Sequence, residues 1–352
     1  MEDILGGRTD PTRFERFLAD WRSILKQRAD EAIATFSAVP GLRGLILGGS
    51  VGRNEQWPLS DIDFITIFDD ERIETGKAAV EKLCEEFHSR WFAEGWRTGL
   101  DIGKLSFGVR EVATALNPEH RSMAELLHDD RWYHSLDKGF QSRAVFDTGV
   151  RTAELAQWFT TQRFSSEFVQ IRLDWERNEV ESAIQRSAEC AALDDALGAT
   201  IAKRRAGQWL QIWFLETHGE RDASLARVGT RFEHLARTHD QPAVIDLVNT
   251  LNDLEDSSVD IRLAAAPAWV REWHDRAWRA RQLVADNVTR RQHARDMLRV
   301  CSMYELRYVN SAPFASWLAV VSDREMIARQ VTRLDQLFLT GRETRDDRKS
   351  TG

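Results

Sequence analysis

Hydrophobic and polar positions follow two different textures along this chain, and the change between them falls near residue 150. Before it, short apolar runs alternate with helical patterns. "DPTRFERFLADWRSILKQRADEAIATFSAV" sets Phe14, Phe17, Leu18, Trp21 and Leu25 at helical spacing, with Asp10 at the N-cap and Pro11 at the first helical position. "GLRGLILGG" predicts a short buried strand, and "DIDFITIF", alternating at its start and then apolar throughout, predicts a second. A helix is expected over "ERIETGKAAVEKLCEEFHSRWFAEG", with Val80, Leu83, Cys84, Phe87 and Trp91 on one face. "DIGKLSFGVREV" then predicts a third strand and "HRSMAELLHDDRWYHS" a further helix. From about Thr152 the strand-like runs give way to long amphipathic helical patterns such as "TAELAQWFTTQRFSSEFVQIRLDWERNEVESAIQRSAECAA". The expected organisation is a mixed domain over residues 1–150, a helical domain over 151–342, and a polar, disordered tail over 343–352.

Composition narrows the class without fixing the chemistry. A length of 352 residues suits two domains, and 42% hydrophobic with 30% charged residues describes a globular chain rather than a disordered one. The net charge of −8 argues against a protein that coats nucleic acid, because such proteins carry an excess of Lys and Arg to neutralise phosphates. Cys84, Cys190 and Cys301 are scattered and read as reduced thiols. The N-terminus lacks the basic-then-apolar pattern of a signal peptide, and no run approaches the ~18 apolar residues of a membrane span. A soluble, cytoplasmic protein without membrane or nucleic-acid partners is the expectation.

The chemistry concentrates in "LILGGSVGRNEQWPLSDIDFITIF", Leu45 to Phe68. Side chains alternate along a strand, so Asp61 and Asp63 are expected on one side and Ile62 on the other. Two adjacent carboxylates repel each other unless a cation sits between them, and magnesium takes one or two carboxylates together with substrate phosphates. The first strand ends in Gly48-Gly49-Ser50, where glycines let backbone amides approach a triphosphate and Ser50 offers a hydroxyl to a phosphate oxygen. Arg53 could neutralise a leaving pyrophosphate. A phosphate clamp facing a cation-binding pair is equipment for transferring a phosphorus group.

"GGSVGRNEQWPLSDIDF" resembles the signature of the nucleotidyltransferase superfamily of the DNA polymerase β type: a glycine-serine turn, a loop, then D-x-D at a strand start. The resemblance implies an α+β fold, with a nucleotidyltransferase-type mixed sheet flanked by helices and followed here by an all-α helical bundle. It implies that Gly49 and Ser50 hold phosphates and that Asp61 and Asp63 hold magnesium. It also implies a third carboxylate on a neighbouring strand, for which Asp101 stands at the right place in chain order. Between Leu42 and Phe140 the sequence is similar to the bacterial uridylyltransferases that modify a nitrogen-signalling regulator, the DUF294-like group. That likeness adds Glu55 and Arg110 to Arg53 and Asp101 as matched positions. The chain departs from that group by extra residues in "GKLSFGVRE", and no His/Asp set surrounds His239-Asp240, which reads as helix surface.

The implied reaction is in-line displacement at the α-phosphorus with two magnesium ions. The metal set would be Asp61, Asp63 and Asp101, with Asp101 sharing the second ion or taking the acceptor's proton. Gly48, Gly49, Ser50, Arg53, Ser60 and Lys104 form the candidate nucleotide-binding set. ATP is the first-choice donor and a small molecule the expected acceptor. Two alternatives keep the fold: nucleotidylation of a protein side chain, and a catalytically silent nucleotide-sensing module. In the helical half, Lys203, Arg204 and Arg205 could face the triphosphate or form a solvated face.

Overall fold

The computed structural model describes residues 10–96, 98–117, 122–220, 227–284 and 287–308, and the side chains of these except Trp269 and residues 301–308. The expected polar tail over 343–352 lies outside the described residues. Helices α1 (Pro11–Ala19) and α2 (Trp21–Ser37) lead into strand β1 (Leu42–Gly48). A single turn, α3 (Gly49–Gly52), and a loop connect to β2 (Ile62–Phe68). There follow α4 (Ile73–Glu94), β3 (Leu100–Asp101), β4 (Ser106–Gly108), α5 (Val109–Ala115), α6 (Met123–Leu127), α7 (Asp130–Gly139), β5 (Arg143–Asp147) and α8 (Thr152–Gln162). Beyond these every described element is helical: α9 (Ser166–Ala192), α10 (Ala196–Thr217), α11 (Val228–Thr238), α12 (Pro242–Leu251), α13 (Asp256–Ala265), α14 (Ala268–Gln282) and α15 (Arg290–Tyr308). The architecture is α+β, a mixed sheet flanked by helices with a helical part after it. No described helix is long and apolar enough to cross a membrane.

Among the described residues the sheet has five strands in the order β3-β2-β1-β5, with β4 pairing β2 beyond β3. β1 runs antiparallel to β2 and to β5, whereas β2 runs parallel to β3 and β4. All seven residues of β2 are buried, as a central strand covered on both faces requires. On one face Phe64 meets Phe36 of α2 edge-on at 5.7 Å, and Phe36 meets Phe87 of α4 at the same distance. On the other face Gly48 packs beneath the Lys138 carbonyl of α7, and Gly44 beneath Thr152 of α8.

Several elements differ from the sequence reading for local reasons. The expected third strand is two short strands, because Gly103 adopts φ +91° and turns the chain between them. "VREV" is helical rather than extended: the Gly108 amide donates to Glu111 Oε2 at 2.7 Å and starts α5. "HRSMAELLHDDRWYHS" is two helices, since Asp129 accepts from the Arg131 amide at 2.9 Å and caps α7. The expected N-cap is in place, with the Thr12 amide donating to Asp10 Oδ1 at 2.9 Å.

The chain packs as two units, one reaching to Ile171 and including Glu272–Asn287, the other formed by Arg172–Arg271 and the chain from Val288. The core of the second gathers Val180, Leu210, Phe214, Phe232, Val248 and Leu251. The basic run of α10 is not a solvated face: the Lys203 and Arg204 side chains are 0% and 2% exposed and grip Asp253 at 2.5 and 2.9 Å. Burial works to raise the Asp253 pKa, but its two cations hold it below the ordinary aspartate range. Arg205 alone of the three lies outward, paired with Glu179 at 2.7 Å. Phe36, fully buried between the sheet and α4, is the packing hinge of the first unit. F36A is expected to cost about 3–5 kcal/mol of stability, measured by urea unfolding followed through tryptophan fluorescence.

Candidate active site

β1 delivers the chain to Gly49, and the register of the antiparallel pair sets Gly48 opposite Asp63. Gly49 has φ +60°, and a Cβ there would overlap the Asp63 carboxylate, so neither the backbone conformation nor the space admits a larger residue. The glycine turn thus brings main chain directly against an acid. Ser50 Oγ donates to Ser60 Oγ at 3.0 Å, and Ser60 Oγ accepts from the Trp57 amide at 3.0 Å. These contacts tie the loop between β1 and β2 back onto the turn. Arg53 is folded inward, with its side chain 6% exposed and its Nε on Glu55 at 2.9 Å. Its buried Nη1 has no acceptor among the described residues, so the guanidinium keeps a hydrogen bond to give.

The acids converge through strand pairing. β2 and β3 pair in parallel with Asp63 opposite Asp101. Asp63 is buried, Asp101 half-buried, and Asp61, one residue before β2, reaches solvent. Gly99 leaves room for the Asp61 carboxylate, which a Cβ there would overlap. Desolvation by the surrounding protein, and then the Asp63 charge, push the Asp61 carboxyl up to about 6. Because Asp61 faces solvent, the like-charge repulsion is the cause that its position supports more directly.

A lysine absent from the sequence reading completes the cluster. The ammonium of Lys138, on α7, donates to Asp63 Oδ1 and lies 3.8 Å from Asp101 Oδ2. Burial opposes its charge, but Asp63, Asp101 and Asp61 more than offset this and hold its pKa above the ordinary lysine range. Lys104 pairs with Asp101 at 3.3 Å from an exposed position. Arg110 is not brought to the cluster: it is exposed on α5 and pairs with Asp70 and Glu71 at 3.4 and 3.3 Å.

β3 is too short to hold itself in register, and residues from two helices brace it. The Leu100 amide donates to His88 Nε2 of α4 at 3.1 Å. Arg28 of α2, its side chain 4% exposed, donates to the Trp96 carbonyl at 2.7 Å and to Thr98 Oγ1 at 2.6 Å. Both braces escape a motif search, although Arg28 interrupts the apolar stripe of Leu25, Ala29 and Ala32, which is a visible signal. Cys84, also on α4, is no nucleophile: burial and then the Asp101 charge push its thiol up to about 12.

Three carboxylates around an ammonium are a hard, all-oxygen donor set, and they fit a divalent cation in chemistry and charge. Among the described residues, however, no three His, Cys, Asp or Glu side chains are grouped as a metal site. The Lys138 ammonium occupies the space between Asp63 and Asp101.

Residues 1–96 match the model of a family described as "Putative nucleotidyltransferase DUF294". The match takes in the glycine turn, Asp61 and Asp63, and ends before Asp101 and Lys138. It supports a DUF294-like catalytic domain of nucleotidyltransferase type, and with it a role in nucleotidyl transfer. No curated protein matches the chain.

The raised Asp61 pKa has a signed consequence for stability. Folded protein holds this proton more tightly than unfolded chain, so the stabilisation is present at low pH and is lost as pH rises from about 4 through about 6. Without divalent cation, the urea midpoint of wild type should therefore fall relative to D61N between pH 4 and pH 7. An unchanged difference between the two proteins would contradict the assignment.

Proposed function

We propose that this chain is a magnesium-dependent nucleotidyltransferase that moves a nucleoside monophosphate from a nucleoside triphosphate to a small-molecule acceptor and releases pyrophosphate. ATP is the first-choice donor. The observation that carries the reading is the placement of Asp63: opposite Asp101 in the sheet and packed against the side-chain-free Gly49. A triphosphate laid along Gly48 and Gly49 meets main chain at close range, as such a charged ligand requires. Ser50 and Ser60 present linked hydroxyls beside it, and Arg53 holds a donor in reserve.

Asp61, Asp63 and Asp101 would hold magnesium, two ions in all, which when bound would neutralise charge growing on the phosphate oxygens. Asp101 accepts the proton of the acceptor hydroxyl. The acceptor oxygen then forms its bond to the α-phosphorus while the bond from that phosphorus to the bridging oxygen breaks. The electron pair departs with pyrophosphate on the side opposite the acceptor oxygen. The acidic balance of the chain, with net charge −8, favours a small acceptor over a polynucleotide.

Incubation with each α-labelled nucleoside triphosphate and magnesium, with and without a small-molecule cell extract, tests this. Label is expected on a small compound with matching pyrophosphate release, and D63N should reduce that release by on the order of a hundredfold or more. Label on protein would overturn the acceptor assignment. No pyrophosphate release with any nucleotide would overturn the transfer itself.

A further inference from the structure

The contacts of Lys138 with the acid cluster are not explained by holding α7 in place. α7 is already fixed by Trp132, whose ring packs on Phe107 at 4.1 Å and a 34° tilt, and by Arg131, which donates to the Ser106 carbonyl at 2.8 Å. The side chain nevertheless reaches from the end of α7 to Asp63 and Asp101, which are the two acids paired across β2 and β3. The other charged groups facing it are Asp61, and Lys104 on the far oxygen of Asp101. A cation bound by Asp63 and Asp101 needs the oxygens that the ammonium now holds, and two positive charges do not share them without strong repulsion.

The backbone of Lys138 adds a second constraint. Its carbonyl lies over Gly48, close enough that a Cβ on that glycine would overlap it. The root of the side chain is thus anchored beside the glycine turn, and its flexible four-carbon stem ends in three donors. An ammonium released from the acids remains next to the turn where the phosphates are placed.

We infer that Lys138 is the resident cation of the acid cluster, displaced from Asp63 and Asp101 by a divalent ion and handed to a phosphate oxygen of the nucleotide. This rests on the nucleotidyltransferase reading of the site. Without a divalent ion, Lys138 balances the converging carboxylates. With substrate present the same charge serves the triphosphate, so binding of divalent ion and of nucleotide reinforce one another through one side chain.

Manganese binding, followed by the paramagnetic resonance signal of the free ion, tests this without measuring turnover. In the absence of nucleotide, K138Q should bind manganese on the order of tenfold more tightly than wild type, because no ammonium has to leave. A non-hydrolysable nucleoside triphosphate should narrow that gap, since wild-type Lys138 then gains a phosphate partner. K138R keeps the charge and grips carboxylates bidentately, so it should bind manganese several-fold more weakly than wild type. Should K138Q prove unfolded, K138R decides alone, and binding as tight as wild type or tighter overturns the inference. Equal manganese affinity in wild type and K138Q, lost in both with D63N, overturns the displacement and leaves the reading of the site standing. No manganese binding by any variant, with or without nucleotide, overturns both.

Discussion

Neighbouring carboxylates repel each other, and this chain sets Asp63 opposite Asp101 with Asp61 near enough to feel both charges. Such a cluster persists by protonating one of its acids, as at Asp61, or by taking positive charge inside it. The fold supplies that charge from Lys138 and, at the rim, Lys104. Much of the first unit can be understood as the scaffold for this arrangement. Gly49 and Gly99 clear the space that the acids occupy, and Gly48 lets α7 approach. Arg28 and His88 keep a two-residue strand in register with β2.

What could be read in the sequence was the part of this that is local. The glycine-serine turn and the D-x-D pair lie within one stretch, so their spacing alone places them at adjoining strand ends. Asp101 was accessible from chain order, and the structure does set it opposite Asp63. Lys138 was not, because it stands 75 residues from its partner and reaches it only through the packing of α7 on the sheet. The scarcity of lysine, 7 against 41 arginines, is no guide either, since the exposed Lys26 contacts an aspartate just as Lys104, Lys138 and Lys203 do.

The basic run of α10 shows the opposite limit. Three consecutive cations look like a solvated face or a phosphate-binding face, yet Lys203 and Arg204 are buried against Asp253. The counterion lies 50 residues away from Lys203, so no local pattern predicts the burial. Buried pairs of this kind add little net stability over apolar packing, but removing one partner leaves an uncompensated charge and is costly. The breaks between β3 and β4 and between α6 and α7 belong to the same class: each is set by one residue, Gly103 or Asp129, inside an otherwise continuous pattern. The family match has a similar boundary, since it covers the turn and the acid pair while the third acid and the lysine lie beyond residue 96.

The chemistry of the site is decided by where a nucleotide and its cation sit. A crystal structure of the protein with manganese and a non-hydrolysable nucleoside triphosphate addresses this directly, because the anomalous signal locates the metal independently of the surrounding density. Manganese is expected against Asp61 and Asp63, with the phosphates along Gly48 to Ser50. A triphosphate bound elsewhere, or manganese with no Asp63 oxygen among its ligands, would contradict that placement.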